Sequence, residues 1–148
     1  MSNVQFANRV KDLHGSAIRE SFKALSRPGI ISFAGGMPAP ETYPNKELAE
    51  IANDILLNNS TIALQYGITE GYAPLIDQTR ARLEKYNIGN QGDSLIITSG
   101  GQQAIELVTK SLINEGDGIA CEDPSFIGAL NAFRSYNAKL FPVPVESD

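Results

Sequence analysis

From Ser94 onward the sequence alternates short apolar runs with helix-periodic segments, and this alternation restricts the fold more than any other feature of the chain. Residues 94–98 (SLIIT) read as a buried strand, Gly100 and Gly101 as a turn, and residues 102–114 as a helix. The inward face of that helix would be Ile105, Val108 and Leu112, with Gly116 just past its end. Residues 119–121 read as a second short strand. Asp123 and Pro124 follow as N-cap and first helical residue of a helix over 126–136, and KLFPVPV, residues 139–145, is strand-like. This βαβαβ order predicts an α/β fold with a mainly parallel sheet, right-handed crossovers and flanking helices. Ligands of such sheets sit outside the carboxyl ends of the strands.

The preceding residues supply more helices and one open loop. Residues 16–27 carry Ile18, Phe22 and Leu25 on one helical face, stopped by Pro28 and Gly29, and a strand candidate spans 30–34. In GGMPAPETYP, residues 35–44, two glycines and three prolines exclude regular structure but permit a backbone-exposing loop. Asn45 can cap a helix reaching residue 57, with Leu48, Ile51 and Ile55 inward. A polar stretch leads to QYGITEG, residues 65–71, and a third helix spans 72–86 with Leu75, Thr79, Leu83 and Tyr86 inward. IGNQGD, residues 88–93, turns the chain back toward SLIIT.

Composition excludes several classes of partner. With 148 residues, 42% of them hydrophobic and 20% charged, the chain has the make-up and size of one ordinary globular domain. The net charge is −5 and the basic residues are scattered, so there is no electrostatic footprint for nucleic acid or an anionic membrane. One cysteine, Cys121, cannot form an internal disulfide, and neither a signal peptide nor an apolar run of transmembrane length is visible. These features predict a cytoplasmic protein. His14 stands without acidic or cysteine partners at ligand spacing, so no metal site is expected. Cys121 reads as a small hydrophobe in a strand. Glu41, Glu47 and Glu50 read as solvated or first-turn charges.

The turn in ITSGGQQ has a specific physical use. A glycine pair between strand and helix lets backbone N–H groups approach an anion, and the helix N-terminus adds partial positive charge. Phosphate is the natural guest, although the same glycines would also serve a plain tight turn. Neither GxGxxG nor GxxxxGK[ST] is present, which removes most of the support for a Rossmann dinucleotide site or a P-loop.

Four ordered motifs carry a further reading: ISFAGGMPAPETYP (31–44), LQYGITEGYAPL (64–75), ITSGGQQAIEL (97–107) and GDGIACEDPSF (116–126). In this order they resemble the fold-type I pyridoxal phosphate (PLP) aminotransferases of class I/II, in the alpha-aminoadipate and kynurenine aminotransferase-like branch. The resemblance covers nearly all of the chain from about Leu13 onward. It implies the N-terminal part of the aspartate aminotransferase-like fold: residues 1–44 as an N-terminal segment with dimer arm and substrate loop, and 45–148 as the first part of the PLP-binding large domain.

Site roles follow from the same resemblance. Gly100, Gly101 and Gln102 would form the cup for the PLP phosphate, with Gly101 standing where many relatives carry serine. Phe126 matches the aromatic that stacks on the cofactor ring, where relatives often have tyrosine; read from the residues alone it is rather a core position on an amphipathic helix. Tyr66 matches a tyrosine that reaches the phosphate of the neighbouring subunit, which implies a homodimer, though alone it reads as a packing residue. Gly35 and Gly36 match a loop over the substrate, with plain turn chemistry as the alternative.

The resemblance also defines what this segment lacks. Transamination between an amino acid and a 2-oxo acid needs a lysine that forms a Schiff base with the cofactor, an acid on the pyridine nitrogen and an arginine for the substrate carboxylate. In the family these lie beyond the position of Asp148, and none of the six lysines present has the context of the Schiff-base lysine. The chain is therefore expected to be roughly the first two fifths of such an enzyme and inactive alone. The family's strand next to residues 94–98 also comes later, so marginal folding in isolation is expected. The alternative reading is a non-catalytic remnant or an aminotransferase-like module that binds a phosphate-bearing ligand.

Overall fold

The computed structural model describes residues 5–10, 29 and 36–146. The expected helix over 16–27, the strand over 30–34, His14 and Gly35 lie outside the described residues. Contacts divide the chain into two units, Met1–Ala34 with Thr98–Asp148, and Gly35–Ile97.

In the second unit, the proline-rich loop folds on local hydrogen bonds. Thr42 Oγ1 donates to the Ala39 carbonyl at 2.7 Å, and the Tyr43 hydroxyl donates to that of Pro38 at 3.2 Å. Helix α1 then runs Asn45–Asn58, α2 runs Ser60–Leu64, and α3 runs Ala73–Glu84. The periodicity of residues 45–57 and 72–86 thus forms the helices it predicts, whereas α2 falls in the stretch read only as polar. None of the three helices contains a buried residue. The expected inward residues Leu48, Ile51, Ile55, Leu75 and Tyr86 are exposed, and only Thr79 and Leu83 of that set are half-buried. An amphipathic pattern marks a face that can be covered; covering it takes an opposing surface, and this unit alone supplies little.

Hydrogen bonds to backbone groups hold the unit instead. The Ile97 N–H donates to the Glu70 carbonyl at 2.8 Å. Gly71, with φ of +120°, lies so close that a Cβ there would come within 2.7 Å of the Ile97 side chain. Arg80 Nη1 donates to the Asp93 carbonyl at 3.1 Å, and Asp93 Oδ2 accepts the Asn90 N–H at 2.7 Å, closing the turn before SLIIT. Residues 94–98 do not form the expected strand. A strand is a property of a ladder, and among the described residues this segment has no partner strand.

The first unit contains the ladder. Helix α4, Gly101–Leu112, leads to β1, Gly118–Asp123; helix α5, Ile127–Ser135, crosses to β2, Lys139–Pro144. The two strands are parallel, from Gly118 opposite Lys139 to Asp123 opposite Pro144. At the ladder's ends, the Lys139 N–H donates to the Asp117 carbonyl at 2.8 Å and the Val145 N–H to that of Asp123 at 3.3 Å. Of the expected βαβαβ order, the αβαβ part that follows residues 94–98 is therefore present. Asp123 is not a helix N-cap: it belongs to the ladder, and α5 starts three residues after Pro124, with Phe126 at its N-cap.

The small core of this unit differs from the one periodicity suggests. Val108 and Leu112 are exposed, and Ile105 is half-buried. The buried residues are Thr109 on α4, 2% exposed, and Ala132 on α5, 4% exposed. Thr109 Oγ1 satisfies itself on the Ile105 carbonyl one turn back, at 2.7 Å. Gln102, Glu106 and Thr109 stand at i, i+4 and i+7, so the stripe of α4 that finds partners within this unit is polar. No helix among the described residues is long and apolar enough to cross a membrane.

Candidate functional site

The entry to α4 is built by glycine. Gly100, at φ +87° and ψ 168°, adopts a backbone region that side chains rarely enter, and Gly101 begins the helix. The loop closes on itself: the Gly100 N–H donates to the Thr98 carbonyl at 2.9 Å, and Thr98 Oγ1 donates to that of Gly100 at 3.2 Å. Gln103, in the third helical position, accepts the Ser99 N–H on its Oε1 at 2.5 Å, reaching back one residue beyond the N-cap Gly100. No side chain caps the first-turn N–H groups. A Cβ at Gly100 or Gly101 would meet no atom within 4 Å, so the space at the helix start is open. Uncapped donors, helix-end partial charge and free space fit a phosphate.

A second element meets this turn. Phe126 sits at the N-cap of α5, its carbonyl accepting the N–H groups of Ala129 and Leu130 at 3.0 and 3.2 Å, and the residue is 61% exposed. Gln102 Nε2 donates to the Gly128 carbonyl at 3.1 Å, so the side chain expected at the cup spans from α4 to the first turn of α5. A Cβ on Gly128 would collide with Gln102 Oε1 and lie 2.5 and 2.6 Å from ring atoms of Phe126. The structure thus brings Gln102 and Phe126 together over Gly128, with the α4 N-terminus adjoining.

Behind them, the Tyr136 hydroxyl, just past the end of α5, donates to Glu106 Oε1 at 2.9 Å. That hydrogen bond, then desolvation and the nearby negative charge of Glu106, raises the Tyr136 pKa above its ordinary value near 10, against a lowering effect of Arg9. Tyr66 and Gly36 belong to the other unit. Tyr66 is 99% exposed, and its N–H donates to Gln65 Oε1 at 2.8 Å. Gly36 is exposed, with nothing within 4 Å of a built Cβ. Three residues of this arrangement escape a reading of the sequence. Gly128 carries a usable signal, a glycine inside a helical pattern. Glu106 and Tyr136, 30 positions apart, carry none.

Comparison with known proteins gives this geometry its class. The family "Aminotransferase class I and II" matches residues 29–148, and the chain belongs to it. The chain is 46% identical over 132 residues to a 2-aminoadipate transaminase of Thermus thermophilus, covering 89% of this chain and 32% of that protein. Against an aromatic-amino-acid aminotransferase of Thermococcus litoralis the identity is 36% over 144 residues, covering 97% and 34%. A crystal structure of the kynurenine aminotransferase of Pyrococcus horikoshii, in complex with PMP and with kynurenine as substrate, superposes with a TM-score of 0.85 at 35% identity, covering 95% of this chain and 35% of that one. The chain spans about a third of the length of the curated relatives it matches. Its fold is the N-terminal part of the fold-type I aminotransferase architecture.

Proposed function

We propose that the protein carrying this chain is a PLP-dependent aminotransferase that moves an amino group from an amino acid to a 2-oxo acid, acting as a cytoplasmic homodimer. The observation that carries the reading is the uncapped, glycine-entered N-terminus of α4 beside the exposed residue Phe126. The backbone N–H groups of Gly101 and Gln102 would hold the phosphate against the helix end, with Gly100 supplying the left-handed turn that aims them. Phe126 would lie against the pyridine ring, orienting it and excluding water from one face. When bound, PLP supplies an electron sink for the amino acid's Cα. Tyr66 would reach the phosphate of a neighbouring subunit, consistent with its full exposure in a single chain. Gly35 and Gly36 would border the substrate carboxylate. Residues 1–44 would form the N-terminal arm and substrate loop, and 45–148 the first part of the cofactor domain.

The reading is tested on the full-length protein. It should show a protein-bound PLP absorbance that borohydride traps, and Gln102→Ala should weaken cofactor retention. Absence of bound PLP in the full-length protein would defeat the proposal. The 148-residue chain alone is expected to show no PLP-dependent turnover above the cofactor's own background.

A further inference from the structure

Gly128 is the second residue of α5, and its backbone needs no glycine: it has helical geometry without a positive φ, where alanine is the better former. What excludes a side chain is the space above its Cα, occupied jointly by the Gln102 amide and the Phe126 ring. A real Cβ would have to displace both of them, because each has an atom closer to the Cβ position than packed atoms approach a carbon. The Gln102 amide is at the same time anchored to the Gly128 carbonyl, so it cannot withdraw without losing that bond.

We infer that Gly128 is a positioning residue for the cofactor site: its missing side chain is what allows the Gln102 amide and the Phe126 ring to be seated together, fixing the aromatic face relative to the N-terminus of α4. This rests on the proposed PLP site and adds to it a residue that touches neither phosphate nor ring. Local helix stability and site geometry give opposite signs for one substitution. Gly128→Ala improves helix propensity while re-aiming Phe126 and Gln102, and small misplacements of orienting groups weaken binding steeply.

The test compares wild type, Gly128→Ala, Gln102→Ala/Phe126→Ala, and that pair with Gly128→Ala added, all in the full-length protein with PLP as the probe. Cofactor affinity is measured by equilibrium dialysis, site geometry by circular dichroism in the cofactor band, and stability by melting of the apo forms. Gly128→Ala should weaken PLP binding about ten-fold or more and change the dichroic band, with an apo melting temperature equal to or above wild type. In the background lacking both neighbours, the added methyl should change affinity less than about two-fold, because nothing remains for it to displace. Wild-type affinity and dichroism in Gly128→Ala would overturn the inference while leaving the PLP site standing. An equal loss in both backgrounds, or a lowered apo melting temperature matching the affinity loss, would reduce Gly128 to a fold residue and overturn it as well. A wild-type protein that binds no PLP would overturn both readings.

Discussion

Residues 36–97 and residues 98–146 are of similar size and both rich in helix, yet they are held in different ways. The first region has three helices with no buried residue and is pinned at backbone points, where Glu70 meets Ile97 and Arg80 meets Asp93. The second has a parallel ladder, two buried side chains and side-chain hydrogen bonds that join α4 to α5. The difference teaches that amphipathic helices by themselves do not make a core. A ladder brings residues far apart in sequence into fixed register, and it gives the crossing helix a surface to lie on.

The contrast can be broken most sharply at Gly71. Replacing it by alanine imposes a side chain on a φ of +120° and on the Ile97 side chain, so the cost should reach about 3 kcal/mol, the upper end for a strained backbone position. Hydrogen exchange should show the Ile97 amide losing protection while β1 amides keep theirs; loss in both regions together would mean that they are one cooperative unit. Ala132→Leu probes the other region. Overpacking its buried site should cost about 2 kcal/mol, read as a lower denaturation midpoint. Leu57→Ala, at a residue 73% exposed, should stay within about 0.5 kcal/mol. Equal costs at Ala132 and Leu57 would erase the distinction between the two regions.

The smallest effect concerns Tyr136. Its folded-state pKa is raised above the ordinary value near 10, so the bond to Glu106 contributes stability that is complete below pH 10 and fades as pH rises through the raised value. The advantage of wild type over Tyr136→Phe in denaturation midpoint should follow that course. An advantage that grows with alkalinity would contradict the hydrogen bond as described.

Helices α1, α3, α4 and α5 and both strands are legible in the sequence because apolar spacing and glycine or proline punctuation report local structure directly. Residues 94–98 misled for a physical reason: SLIIT has the composition of a strand, but the ladder that defines one depends on a partner elsewhere. Helix α2 was hidden by its length, a little over one turn, with β-branched Thr61 and Ile62 in it. At the candidate site, the glycine turn could be picked out from residue type, and the aromatic at 126 through the family resemblance. Their connection through Gln102 and Gly128 could not, since periodicity follows apolar residues and this stripe of α4 is polar.

The prolines of β2 give the sheet a direction of growth. Lys139 and Val145 turn their N–H groups toward β1, so the odd-numbered residues of this strand face its neighbour and the even-numbered ones face away. Pro142 and Pro144 occupy two of the outward positions and have no N–H to offer. A further strand, from this protein or from another molecule, finds a broken row of donors on that flank. The flank of β1 carries no such interruption, and the sheet is therefore terminated on one side and extensible on the other.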